Sequence, residues 1–169
     1  MAESAVAYKK RILGYQAGKD PLALQASMPR TVERLVSGAS RAALTRRPAP
    51  GQWSVAEIVA HLADDELVAA FRIRMILESP GTALQAMDQD VWAEKGRYAR
   101  RNLKTSLELF RALRKANLDL FKSLAPAEWK LAGVHEERGV ETIQDIAEHY
   151  AGHDINHLEQ IRRILGKGD

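Results

Sequence analysis

Three of the chain's five histidines, His149, His153 and His157, stand at four-residue intervals near its end. On a helix, residues four apart lie about 40° apart around the axis and one turn along it, so the imidazoles of His153 and His157 can reach a common point. The apolar stripe of that helix runs Ile146, Tyr150, His153, His157, Ile161 and Ile164. Two imidazoles therefore occupy positions where core side chains belong. Buried ring nitrogens need partners, and a helix presenting two histidines one turn apart is a familiar way to ligate zinc. The stretch His153-Asp154-Ile155-Asn156-His157 also echoes H-E-x-x-H, with the shorter Asp154 in the glutamate's place.

Two histidines leave a site incomplete. His61 is the natural third ligand, being near the inward face of another helix. His149 competes from the same helix but is rotated toward the rim of the stripe, and His135 could contribute from a loop or line the entrance. Three histidines would keep a coordination position open for water or substrate, which suits catalysis. Asp65, four residues after His61, and Asp154 are the candidates to orient a ligand histidine or take a proton; Asp64, Glu66 and Glu159 are further possible partners. The chain has no cysteine. It offers no thiolate ligand and no cysteine nucleophile, so a thiol would have to arrive on a small molecule.

Helices must position these groups. Ser54 and Glu57 form an S-x-x-E capping box that starts a helix running to about Ser79, where Pro80-Gly81 stops it. Ser27 is a plausible cap for a helix over 27–37, with Pro29 in its first turn. Leu103, Leu107, Phe110, Leu113, Leu120 and Phe121 keep helical spacing over 102–124. Thr142 and Asp145 resemble a capping pair for the last helix, which ends at Gly166. A short helical turn is expected over 88–93, and residues 129–141 read as a connection. No strand is expected. The pattern predicts an all-α four-helix bundle with extra short helical segments over residues 20–169, preceded by an arm or short helix over 1–19. The long connections 38–53 and 80–102 leave room for more than a simple up-down order.

With 169 residues, 46% hydrophobic and 28% charged, the chain fits one globular domain. The opening MAESAVAYKKRILGYQ does not read as a secretory signal and no apolar run suggests a membrane span, so a cytoplasmic protein without a membrane partner is expected. The net charge of +3 is mildly basic. Arg97, Arg100, Arg101 and Lys104 form a basic patch near Trp92 and Tyr98, read as a solvated surface, so nucleic acid is not an expected partner. Trp53, Trp92 and Trp129 read as structural anchors.

In its Trp53–Glu66 segment, at Phe110–Arg114, over 129–142 and through His153–Ile164, the chain resembles the DinB-like (YfiT-like) superfamily of metal-dependent enzymes. The resemblance spans about residues 22–165. It implies a four-helix bundle holding a divalent ion, nickel or zinc, on His61, His153 and His157, and it favours His61 over His149. It also implies a homodimer and a small-molecule substrate. The leading expectation is transfer of a low-molecular-weight thiol cosubstrate to an electrophile; the alternatives are metal-dependent hydrolysis and a non-catalytic, stress-related metal-binding role.

Overall fold

Each long helix begins at a side chain that satisfies its first free backbone N–H groups. The computed structural model describes residues 5–167. In chain order its elements are α1 (Ala5–Gln16), α2 (Pro21–Val36), α3 (Arg41–Thr45), α4 (Val55–Glu78), β1 (Ala83–Leu84), α5 (Gln89–Lys95), α6 (Leu103–Ser123), β2 (Ala132–His135), β3 (Gly139–Thr142) and α7 (Ile143–Leu165). The capping boxes at Ser54/Glu57 and Thr142/Asp145 are both formed, and Asn102 caps α6. Gly166 closes α7 in the left-handed conformation at φ 63°, which glycine adopts without steric cost.

Helix α2 starts earlier than Ser27. Asp20 accepts hydrogen bonds from the amides of Leu22 and Ala23, and Pro21 occupies the first helical position. Ser27 instead donates its hydroxyl to the Leu24 carbonyl inside the helix. Pro29 consequently lies in the helix interior rather than in its first turn. Lacking an N–H, it leaves the carbonyl of Gln25 without its usual helical donor. Arg114 of α6 supplies the replacement, donating from Nη1 at 2.9 Å.

The bundle is formed by α2, α4, α6 and α7. Helix α4 packs on α6, α6 on α2, α2 on α7, and α7 on α4. Helices α2 and α4, consecutive among the four, therefore sit on a diagonal, which a simple up-down order would not give. Helix α1 packs along α7. Among the described residues no helix is long and apolar enough to cross a membrane.

The core has two apolar layers. One gathers Met28, Val32, Ile58, Leu62, Phe110 and Ile161; the other gathers Ile73, Ile76, Phe121, Ile143, Ile146 and Tyr150. Along every bundle helix, the residues between these layers include buried polar ones: Gln25 on α2, Glu66 on α4, Arg114 and Asn117 on α6, His153, Asp154 and His157 on α7; His61 of α4 lies within the first layer, between Ile58 and Leu62. The bundle is thus apolar at both ends and polar in the middle.

A three-stranded sheet, ordered β1-β2-β3, stands where no strand was expected, β1 within the connection 80–102 and β2 and most of β3 within the connection 129–141. Strands β2 and β3 are an antiparallel hairpin, and β1 pairs parallel to β2. Gly133 lets β1 approach, since a Cβ there would stand 2.7 Å from the Leu84 side chain. The basic patch is also not a uniform surface. Arg101 turns toward Asp64, 2.6 Å away, and lies over the fully buried ring of Tyr98.

Candidate metal centre

The capping box at Ser54 and Glu57 sets the start of α4 and so fixes where His61 falls on its inner face; the box at Thr142 and Asp145 does the same for His153 and His157 on α7. Helix packing then brings together residues 92 positions apart in sequence. The Nε2 atom of His153 stands 3.1 Å from Nε2 of His61 and 2.9 Å from Nε2 of His157. All three side chains are buried, and among the described residues they form the one group of three or more potential ligands whose donor atoms converge.

The partners on the far side of the rings decide which nitrogen carries the proton. His157 Nδ1 lies 2.8 Å from the side-chain oxygen of Gln160, which can only accept, so Nδ1 donates. Asp65 Oδ2 stands 3.3 Å from His153 Nδ1 and favours a proton there in the same way. Each of these rings then presents an Nε2 lone pair inward, and the two lone pairs face each other at 2.9 Å. Protonation would relieve that conflict, but burial and the neighbouring imidazoles hold His61 and His153 well below the usual histidine range, and burial lowers His157 to about 4. A cation held between the rings would satisfy the inward lone pairs. Two nitrogens bound to one tetrahedral ion at about 2.0–2.1 Å would stand about 3.3 Å apart. The observed spacings are close to that, so the three residues fit a divalent metal.

Asp65 is the carboxylate beside the group, 3.3 Å from His153 Nδ1. Burial, reinforced by Glu66, pushes its carboxyl up to about 7, whereas a positive charge held by the histidines would act in the opposite direction. Asp154 is placed otherwise. Both its oxygens are taken by Arg114, at 2.5 and 3.0 Å, so it closes an ion pair instead of orienting a histidine. The same guanidinium reaches Glu66 at 2.7 Å, and Asn117 donates to that carboxylate as well. Asp64 is engaged by Arg101.

The remaining histidines stand outside the convergent group. His149 is buried, its ring 6.0 Å from that of Tyr8 on α1 and 6.3 Å from that of His153. His135 is buried in β2, where Nδ1 accepts from the Glu137 amide. Trp53, read from sequence as a structural anchor, covers the site: its ring lies 4.8 Å from His61 and stacks 6.4 Å from His157. Gln160 was also missed. Its signal was its place three residues after His157, on the same side of the helix.

His157 and Trp53 open onto a cleft of about 670 Å³, walled by α1, the segment before α4, α5 and α7. That volume suits a small organic molecule. The arrangement sets one of the three converging histidines, His157, in the cleft wall together with the indole of Trp53.

A diagonal four-helix bundle with three histidines converging between two of its helices defines a class of bundle metalloproteins. The model of the DinB superfamily matches residues 26–161, and the chain belongs to that superfamily. A protein of Oceanobacillus iheyensis named "Putative metal-dependent hydrolase OB0782" is 27% identical over 142 residues, covering 84% of this chain and 82% of that protein. One from Halalkalibacterium halodurans, named "Putative metal-dependent hydrolase BH0277", is 21% identical over 139 residues, covering 82% and 81%. The solved structure of YfiT from Bacillus subtilis, described as having an unusual four-helix bundle topology, matches with a TM-score of 0.79 at 19% identity, over 99% of this chain and 92% of that one.

Proposed function

We propose that this chain is a metal-dependent enzyme acting on a small molecule, that His61, His153 and His157 hold its divalent ion, and that the reaction is a hydrolysis. The observation carrying the reading is the pair of inward lone pairs on His153 and His157, each fixed by an acceptor behind the ring. The names of the two sequence relatives support the reaction class. Three imidazoles suit zinc or nickel. A divalent ion so held would keep positions open for water or substrate and supply Lewis-acid activation there. The chain's own residues do the rest: Gln160 and Asp65 orient the ligand rings, Trp53 shields the site from water, and the cleft orients the substrate. Asp65 Oδ2, beside His153 Nδ1, is the carboxylate placed to hold a proton near the site.

Elemental analysis of untagged protein, wild type beside His153→Ala/His157→Ala, tests the site. Stoichiometric metal in the first and none in the second is expected; equal trace metal in both would remove it. A panel of esters and amides, with metal and without, then tests the reaction.

Transfer of a small thiol to an electrophile is the second reading. It is compatible with the absence of cysteine, since any thiol would be imported, and with a cleft beside His157 large enough for a small cosubstrate. Turnover that requires bacillithiol, mycothiol or glutathione selects it; turnover without added thiol selects hydrolysis. Stoichiometric metal with no turnover in either assay selects the non-catalytic role.

A further inference from the structure

Arg72 of α4 is a buried cation that the protein leaves without a counter-charge. It is 6% exposed, and among the described residues it makes one hydrogen bond, from Nη2 to the Gln85 carbonyl at 2.6 Å, and no ion pair. A guanidinium withdrawn from water is unfavourable unless an anion answers it. The carboxylates at this end of the bundle are engaged elsewhere. Glu141 takes Nε and Nη2 of Arg138 and faces Lys9 at 3.5 Å, and Glu136 accepts from the Ala86 amide. Asp65, seven residues before Arg72 and so on the same face of α4, stands against His153.

A second group beside Arg72 is also unanswered. Gln85 follows Leu84, the partner of His135 in the parallel pairing of β1 and β2. Paired residues point to one side of a sheet, and Leu84 is buried in the second apolar layer. The His135 ring therefore turns into the bundle where Arg72 meets the end of β1. Its Nδ1 accepts from the Glu137 amide, which puts the ring proton on Nε2, and that buried N–H has no acceptor. His149 of α7 adds a third buried nitrogen without a partner, Nδ1, on a ring 6.3 Å from that of His153. The charges of Arg72 and Arg138 act on His135 and His149 alike. Tyr8, against His149, and Gln89 and Asp90, shortly after Gln85, line the cleft, so this place adjoins it.

We propose that Arg72 and His135 bind an anionic group of the substrate, a carboxylate or a phosphate, whose reacting end lies toward His153. This rests on reading the chain as an enzyme acting on a small molecule at the three histidines. Either oxyanion accepts charge-assisted hydrogen bonds from a guanidinium fork and has lone pairs left for a ring N–H. It would supply the missing counter-charge and the missing acceptor together.

The test is isothermal titration of the full chain at low ionic strength with inorganic phosphate and, separately, with succinate. Metal is first stripped by a chelator that is then dialysed away, so no bound ion contributes. Wild type should bind at least one probe, and the probe bound names the group. Arg72→Gln, which keeps a donor for the Gln85 carbonyl, should weaken binding by at least about tenfold. Arg74→Gln, at an exposed arginine two residues on, should leave it unchanged. The probe should also raise the Tm of wild type more than that of Arg72→Gln, which an arginine serving structure alone would not show. If Arg72→Gln does not fold, His135→Phe carries the test: it keeps the bulk of the ring, removes the second donor and should also weaken binding about tenfold. No binding of either probe by wild type, or unchanged affinity in the variant that folds, overturns the proposal. Because the titration needs no metal, it can succeed where the metal analysis fails, and the reverse.

Discussion

Two polar groups share the middle layer of the bundle, and they differ in how they are satisfied. Around Arg114 the protein supplies nearly every partner. One guanidinium serves two carboxylates and a carbonyl, and only its Nε and the side-chain oxygen of Asn117 remain without a hydrogen bond. Around His153 the protein supplies partners for the outer nitrogens of His153 and His157, gives none to Nδ1 of His61, and leaves the inner nitrogens facing one another. The first group is complete in the folded chain. The second is the one a bound cation would complete. Burial alone therefore does not mark a ligand site; the mark is a set of converging lone pairs that no protein donor satisfies.

Removing the central charge of the complete group should have the largest effect. Arg114→Met strands Glu66 and Asp154 in the core and should cost about 3–5 kcal/mol in urea denaturation. Adding Glu66→Gln and Asp154→Asn should restore part of that loss; no recovery would show that the arginine matters through packing alone. The incomplete group should respond to metal instead. Zinc or nickel at about 100 times its dissociation constant should stabilise wild type by about 2.7 kcal/mol, seen as a higher Tm in calorimetry. His153→Ala/His157→Ala should show no such rise.

A smaller change tests the outer partners. Gln160→Leu frees His157 Nδ1 and should lower metal affinity roughly 10–100-fold in competition with a chelating dye. Its effect on urea stability in chelator should be about 1–3 kcal/mol, the cost of leaving that buried N–H unsatisfied. The smallest expected effect lies outside both groups. In the hairpin, burial, with Arg138 and Arg72, lowers His135 from 6.5 to about 4. Its folded pKa lies below its unfolded one, so between these values the unfolded chain binds the extra proton, and stability falls as pH falls through that window. Glu141 continues the trend lower down: burial opposes it, but hydrogen bonds and charge from Arg138 hold it at about 2 against 4.5, so its contribution is lost as pH falls between those values. In chelator, His135→Gln should make the urea-midpoint profile less steep above about pH 4, the other buried histidines keeping the rest of the slope, and leave the lower limb intact.

Much of this frame was legible in the sequence because local signals agreed with the fold. The capping boxes at Ser54 and Thr142 state where α4 and α7 begin, and helical spacing then places His61, His153 and His157. The Arg114 group was harder to see. A polar residue is read by default as facing solvent, yet Phe110, Arg114, Asn117 and Phe121 keep one helical face, and that unbroken register was the available signal. The hairpin failed for the opposite reason. Val134 and Val140 are paired and exposed, while His135 and Glu141 are buried. The usual apolar-in alternation is inverted there, and strands of four residues are too short for periodicity alone to reveal.

Arg114 also bears on how the helices find their alignment. Apolar side chains in a bundle tolerate sliding, since one Leu or Ile contact resembles the next. A guanidinium bound at once to α2, α4 and α7 does not. A slip of one residue turns a helix by about 100° and would carry the Gln25 carbonyl, Glu66 or Asp154 out of reach. The gap left by Pro29 thus acts as a keyhole: it opens at one point on α2, and Arg114 fills it only when all four helices stand in a single register.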